Sequence, residues 1–351
     1  MMARAVKLAA RGQYTCMPNP VVGCVITDGD VVGEGWHQKA GEAHAEVNAL
    51  QHAGDLAQGA TAYVTLEPCS HYGRTPPCAD ALIAAGVSRV VYGMTDPNPS
   101  VAGQGLEKLR QAGITLDGPI LEVEAQQLNK GFIKRQEQGL PWVTIKLAMS
   151  LDGRTAMESG ESQWITGAAA RQDVQRLRAK SCAIVTGIGT VLHDDPSLTV
   201  RAEVAARQPL RVVVDSELKV SADAKVLSSD GSVLLATAKD CSDRQDVEIV
   251  SLPDKSGQVN LLALVKLLAE KECNNVLVEA GAELAGAFLQ AGLVDELVIY
   301  MAPKLLGSSA RPLLSLPFDC MDQQVGLDIT DIRKVGDDIR ITAAPADVNC
   351  P

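Results

Sequence analysis

The stretch Thr65-Leu66-Glu67-Pro68-Cys69-Ser70-His71-Tyr72-Gly73-Arg74-Thr75-Pro76-Pro77-Cys78, taken with His44-Ala45-Glu46 upstream, organises this 351-residue chain. It gathers one imidazole, two thiols and a spare carboxylate. A catalytic zinc site needs those parts: three protein ligands, an open coordination position for water, and a proton carrier that is not itself a ligand. The residue types therefore point to His44, Cys69 and Cys78 on the metal, with Glu46 as the carrier. The alternative is a structural zinc knot, which normally closes with a fourth protein ligand. His71 is the nearby candidate for that position.

Spacing places these residues on elements. Ala62-Tyr63-Val64-Thr65-Leu66 reads as a short apolar strand, and Pro68 suits a strand-to-helix turn that puts the Cys69 thiol near a helix start, where a thiolate is stabilised. Cys78 is then expected in the next helix, beyond Pro76-Pro77. His44 opens an amphipathic run with Val47 and Leu50 on one face, so that Glu46 shares its first turn while pointing elsewhere. Zinc-dependent base deaminases carry H-x-E followed by P-C-x-x-C, with the metal activating water and the Glu shuttling protons. Here the second gap is eight residues rather than two.

That run with its long gap resembles the deaminase half of the bifunctional riboflavin-biosynthesis deaminase/reductase family rather than cytidine or transfer-RNA deaminases. The resemblance continues through Pro18-Asn19-Pro20-Val21-Val22-Gly23, Gly33-Glu34-Gly35-Trp36-His37 and Asp96-Pro97-Asn98-Pro99. It implies a cytidine-deaminase-like fold, a mixed sheet between helices. It also makes Asn19 and His37 candidates for contacting the pyrimidine and Arg74 for lying near a substrate phosphate. Taken alone, Asn19 reads as a turn residue and His37 as a surface histidine. His52 and His193 are expected to be ordinary surface residues.

A chain of this length suggests about two domains, and 46% hydrophobic residues supply two cores. Nothing approaches a membrane-spanning run, and Met1-Met2-Ala3-Arg4 leads into a mixed helix rather than a signal peptide, so the expected address is the cytosol. Nine cysteines at irregular spacing argue against a disulfide framework and favour metal binding for the clustered pair. The net charge of −11 is shared, with 11 Lys/Arg against 14 Asp/Glu in residues 1–140 and 21 against 29 in the remainder. Neither half has the basic footprint of a nucleic-acid binder. The expected partner is a small phosphorylated pyrimidine, its phosphate held by a few local arginines.

Along the chain, residues 3–11 read as a helix, and strands at 21–27 and 31–33 flank Asp28-Gly29, a hairpin signal. Later come a strand at 89–92, a helix at 106–111, a strand at 114–116 and a polar helical segment at 120–138. Alternating strands and helices after one hairpin imply a mixed sheet covered on both faces. Residues 1–138 are expected to form the deaminase domain, 136–141 a linker and 142–347 a second α/β domain. Its strands are expected at 142–148, 183–186, 210–215, 233–236, 275–278 and 297–301.

This second half resembles the same family's reductase domain, whose fold is similar to dihydrofolate reductase. The resemblance rests on Ser150-Leu151-Asp152-Gly153-Arg154-Thr155-Ala156, Ser162-Gln163-Trp164-Ile165-Thr166, Gly187-Ile188-Gly189-Thr190-Val191, Asp194 to Arg201, and Val278-Glu279-Ala280-Gly281. Physically, the glycine entry to the helix 282–290 is the better phosphate holder, because helix N-termini bind anions; the Gly187 turn alone is weak. The resemblance implies a substrate site lined by Lys146, Ser162, Arg178, Leu198, Arg201 and Glu279. It implies an NADPH site lined by Ala148, Trp164, Thr190, Asp194, Ser216, Gly281, Ala282, Glu283, Leu284, Ala285, Gly286 and Ala287.

Read without the resemblance, Arg178 belongs to a solvated helix face, Lys146 to an exposed strand position and Trp164 to a core. Arg201 ends an apolar run, where a buried guanidinium would want an anion. The combined expectation is a two-step riboflavin-synthesis enzyme using zinc and NADPH, assembled as a homo-oligomer. The competing readings are a nucleoside or transfer-RNA deaminase with an appended ligand-binding domain, and a non-catalytic zinc-stabilised binding protein.

Overall fold

The alternation at Cys24-Val25-Ile26 layers the first half of the chain, since successive strand residues face opposite sides of a sheet. All three are fully buried: Cys24 and Ile26 on one side, Val25 on the other. The structure, a computed structural model, describes residues 1–70, 76–99, 101–201, 207–228, 230–240 and 247–346. Its contacts divide the chain into two units, Met1–Leu140 and Pro141–Pro351.

The first unit runs α1 (Met2–Ala9), β1 (Gly23–Asp28), β2 (Asp30–Trp36), α2 (Ala45–Ala53), β3 (Thr61–Val64), α3 (Cys78–Ala84), β4 (Arg89–Tyr92), α4 (Gln104–Gln111), β5 (Thr115–Asp117), α5 (Glu122–Leu128) and α6 (Lys130–Gln138). Its five strands lie in the order β2-β1-β3-β4-β5. β1 is antiparallel to both neighbours, whereas β3, β4 and β5 are parallel. Helix α1 packs Met2, Ala5 and Leu8 against Val25 and Val91 on one face. Ala45 and Ala49 of α2, Leu82 of α3 and Leu109 of α4 join Cys24, Ile26, Val64 and Val90 on the other.

Close packing of α2 on β2 depends on glycine. A Cβ at Gly35 would stand 2.4 Å from the Ala45 carbonyl oxygen, so the absence of a side chain there lets the start of α2 reach the sheet.

Two expectations for this unit are corrected, for one shared reason. The helix over 120–138 breaks at Asn129, and the strand expected from Val21 begins only at Gly23. The buried Asn129 side chain accepts from the Val21 N–H (2.8 Å) and donates to the Val21 carbonyl (3.0 Å). It satisfies the peptide that a sheet neighbour would otherwise have taken.

The second unit runs β6 (Trp142–Ser150), β7 (Arg154–Ala156), α7 (Ala168–Lys180), β8 (Ala183–Gly187), α8 (Ile188–Asp194), β9 (Leu210–Val214), α9 (Lys225–Ser228), β10 (Val233–Thr237), β11 (Glu248–Ser251), α10 (Leu261–Glu270), β12 (Asn275–Val278), α11 (Ala282–Gln290), β13 (Glu296–Ala302), β14 (Arg311–Pro312), β15 (Leu327–Val335) and β16 (Asp338–Pro345). A nine-stranded sheet has the order β11-β10-β9-β8-β12-β6-β13-β16-β15. It is parallel from β11 to β13 and antiparallel beyond. Central strands are buried on both sides, as parallel sheets require: Ile184, Val185, Val276, Leu277 and Val278 are all in the core.

Gly187 is the last residue of β8, and Ser216 and Glu279-Ala280-Gly281 follow the carboxyl ends of β9 and β12. That edge is where open α/β sheets bind ligands. The strands β7, β11, β14, β15 and β16 lie outside the sequence-based expectation. Among the described residues no helix is long and apolar enough to cross a membrane.

Candidate active sites

In the first unit, His44 is the N-terminal cap of α2, Cys69 lies beyond β3, and Cys78 is the first residue of α3. One ligand atom from each lies within 4.8 Å of the others. His44 Nδ1 is 3.2 Å from Cys78 Sγ and 3.6 Å from Cys69 Sγ. An imidazole and two thiols converging on one point form a donor set that suits zinc, so the residues present fit the metal.

The Cys69 thiol does stand at a helix start, but at that of α3, where the Cys78 N–H donates to its sulfur at 3.3 Å. The hydrogen bond from the Cys78 thiol, together with His44, draws the Cys69 pKa down to about 4, and the same bond raises Cys78. Bonding to Cys69 also raises the His44 pKa.

Glu46 does not point elsewhere. Its side chain is 3% exposed and shares a hydrogen bond with the Cys78 thiol. Burial, then the nearby Cys69 charge, pushes its pKa up to about 7, in the range that suits a group exchanging protons near neutrality.

His37 is buried rather than superficial. Its ring meets that of His44 edge-on at 5.2 Å, its Nδ1 is 3.1 Å from the Ala43 carbonyl, and its Nε2 is 3.1 Å from Asn19 Nδ2. Burial lowers its pKa. Asn19, His37, His44, Glu46, Cys69 and Cys78 therefore occupy one site. Arg74 and His71 lie outside the described residues.

In the second unit, Arg178 of α7 forms a two-pronged ion pair with Glu279, Nε–Oε1 at 2.6 Å and Nη2–Oε2 at 2.9 Å. Their side chains are only 12% and 9% exposed, so the solvated-face reading of Arg178 is wrong. Lys146 is likewise not an exposed strand lysine: burial lowers its pKa, opposed by the Glu279 charge and reinforced by Arg178. Three ionisable side chains from β6, α7 and the end of β12 thus share one sheltered patch.

Ser162 Oγ donates to Asp194 Oδ1 at 3.2 Å. Leu284 of α11 packs on Gly187, bringing the two glycine-containing entries together. Gly281 caps α11 with no side-chain acceptor for the first-turn N–H groups, and a Cβ there would meet nothing within 4 Å. Open amides at a helix start fit a cofactor phosphate.

Two readings are corrected. Arg201 is exposed, its N–H donating to Gln175 Oε1 at 2.9 Å, because residues 194–200 form no strand that would bury it. Trp164 is 62% exposed with the Arg171 guanidinium 4.5 Å from its ring, so it is no core residue. Leu198 is buried with φ of 52°. Ser216 Oγ is engaged by Gln258 and the Val259 N–H.

Sequence reasoning passed over Glu67 inside its own motif. The carboxylate is buried and accepts four peptide N–H groups. A carboxylate between a strand and a metal ligand, with no cation beside it in sequence, was the available signal.

Residues 1–94 match the family model for the cytidine and deoxycytidylate deaminase zinc-binding region, and residues 141–341 match that for the RibD C-terminal domain. The chain is similar to the riboflavin biosynthesis protein RibD of Escherichia coli, 53% identical and covering 96% of each chain. It is similar to the Haemophilus influenzae protein of that name, 48% identical over 99% of this chain and 97% of the other. Among solved structures, Acinetobacter baumannii RibD superposes with a TM-score of 0.92 at 48% identity, covering 98% of this chain and 97% of that one. A Thermotoga maritima diaminohydroxyphosphoribosylaminopyrimidine deaminase/5-amino-6-(5-phosphoribosylamino)uracil reductase gives 0.89 at 34% identity with the same coverage.

Proposed function

We propose how the two units of this chain, which belongs to the RibD family of bifunctional riboflavin-biosynthesis enzymes, divide the work: residues 1–138 deaminate and residues 142–347 reduce, with 136–141 between them. The chain is a zinc deaminase joined to a reductase, and it uses Zn2+ and NADPH. The observation that carries the assignment is the convergence of His44, Cys69 and Cys78 with Glu46 buried beside them.

The substrate of the first unit is 2,5-diamino-6-(5-phosphoribosylamino)pyrimidin-4(3H)-one. His44, Cys69 and Cys78 hold zinc, which when bound supplies Lewis acidity and activates water at neutral pH. The Glu46 carboxylate takes one proton from the attacking water and gives it to the ring nitrogen as the oxygen bonds to the amino-bearing carbon; it then carries the second proton, from the added hydroxyl, to the amino nitrogen, whose bond to the ring breaks to release ammonia and leave the oxo group. Asn19 and His37 orient the pyrimidine, and Arg74 takes the phosphate. The product is the aminouracil.

In the second unit, Lys146, Ser162, Arg178, Leu198, Arg201 and Glu279 hold the aminouracil. Ala148, Trp164, Thr190, Asp194, Ser216 and residues 281–287 hold NADPH, which when bound supplies the hydride that turns ribosyl into ribityl. The chain's own contribution there is position and charge: the Arg178–Glu279 pair is fixed by two parallel bonds.

The test is mass spectrometry of products from the diaminopyrimidine ribosyl phosphate with purified zinc-loaded protein. Amino is expected to become oxo without NADPH, and the ribityl product to form only with it. Deamination without any reduction would overturn the assignment of the second unit; no reaction while zinc stays bound would make the metal structural.

The acidic charge supports a small-molecule substrate rather than nucleic acid. A homo-oligomer is supported by the apolar side chains of Leu327, Ile329 and Ile332, exposed on β15 at the end of the large sheet, because exposed apolar patches mark interaction surfaces. Analytical ultracentrifugation is expected to give a multiple of 37.0 kDa, and a monomer mass at micromolar concentration would refute it.

A further inference from the structure

We propose that Glu67 is a positioning residue of the deaminase: its carboxylate clamps residues 96–99 and 101–106 onto the Pro68-Cys69 peptide and thereby sets where Cys69 stands beside His44 and Cys78. The inference rests on the reading that those three residues hold zinc, and it gives the Asp96-Pro97-Asn98-Pro99 motif a place in the reaction.

Glu67 is 4% exposed. Its Oε2 accepts from the N–H groups of Asp96 (3.1 Å) and Gly103 (2.9 Å), and its Oε1 from those of Gly105 (2.9 Å) and Leu106 (3.4 Å). Its own N–H donates to the Met94 carbonyl at 2.9 Å. Hydrogen bonds to a carboxylate are about twice as strong as neutral ones, so one side chain fastens both ends of the segment. Within it, the Asn98 N–H closes onto Asp96 Oδ1 at 2.9 Å.

The clamp bears directly on the ligand. A Cβ at Gly105 would stand 1.9 Å from the Pro68 carbonyl oxygen, so the clamped backbone lies against the peptide that precedes Cys69. On its other side Cys69 is held by the Cys78 N–H on its sulfur and by the Ala79 N–H on its carbonyl at 3.1 Å. Cys69 is thus gripped between the start of α3 and the Glu67 clamp. Groups that orient metal ligands from behind typically change metal affinity or activity about 10–100-fold when removed.

The test uses full-length Glu67→Gln and Glu67→Asp with Co2+ in place of zinc. Glu67→Gln sets an NH2 against peptide N–H donors. It is expected to shift the thiolate-to-cobalt absorption, weaken zinc in chelator competition by about 10–100-fold, and lower the deamination kcat with KM close to wild type. NADPH-dependent reduction stays unchanged. Glu67→Asp, which keeps the charge but is one methylene shorter, is expected to restore the cobalt spectrum in part. A wild-type spectrum and zinc affinity in Glu67→Gln, with or without lower thermal stability, overturns the proposal. If Glu67→Gln does not fold, a wild-type spectrum in Glu67→Asp does so. Absence of thiolate-to-cobalt absorption in the wild-type protein would instead remove the zinc reading, which keeps the two failures apart.

Discussion

Glu46→Gln is expected to lower deamination by about 10²–10⁴-fold, the usual contribution of a positioned general acid–base group, while zinc content and reduction of supplied aminouracil stay at wild-type levels. Glutamine matches glutamate in shape, so the buried position at the first turn of α2 stays filled. What is lost is the ability to accept and release a proton beside the Cys78 thiol. His44, Cys69 and Cys78 are untouched, so metal analysis should return one zinc per chain, as in wild type. The reductase residues belong to the other compact unit and should not respond. Product analysis by mass spectrometry measures both reactions in one experiment. A variant that deaminates at the wild-type rate would remove Glu46 from the mechanism.

Glu279→Gln is expected to have the second large effect, on stability and reduction together. Burial acts to raise the Glu279 pKa, but the Arg178 charge, its hydrogen bonds and Lys146 outweigh this and bring it below the ordinary value. Removing the carboxylate leaves Arg178 and Lys146 sheltered without their counter-charge, and breaking a buried pair costs about 3–5 kcal/mol. Denaturant unfolding of the second unit reads that loss, and NADPH oxidation with supplied aminouracil should fall to background. The same pair carries a pH dependence of definite sign. A carboxylate depressed in the folded state stabilises above its unfolded pKa of about 4.3. This contribution is therefore intact at neutral pH and is lost as the pH falls from the ordinary carboxylate range through the lower folded value. Wild-type unfolding below that range should lose the difference that separates it from Glu279→Gln; a constant gap at all pH values would refute the assignment.

Both predictions concern residues that the sequence named and the structure rearranged. Residue type and local spacing carried His44, Cys69, Cys78 and Glu46 as a donor set with a proton carrier, because ligand chemistry is local. The hairpin at Asp28-Gly29 and the buried strands of both units were legible for the same reason: their apolar patterns follow from strand geometry. Less legible were elements whose faces are wet. β15 is exposed along almost its whole length and mixes Asp, Arg and Lys with its apolar residues, whereas β16, buried or half-buried throughout, was passed over although Ile339 and Ile341 alternate with Asp338, Arg340 and Thr342.

What the sequence by itself determined is therefore the inventory: two α/β halves, a zinc-competent donor set and a glycine-entered helix after β12. Only the tertiary structure decided which side chains share an environment. Arg178 and Glu279 are 101 residues apart, and only the packing of α7 on the end of β12 turns a seemingly solvated arginine into half of a buried pair. Glu67 reaches N–H groups up to 39 residues away, which no local pattern marks. Burial raises the cost of unpaired charge and peptide groups, and burial is a property of the folded chain rather than of any segment. Composition supplies the groups; the fold chooses their partners.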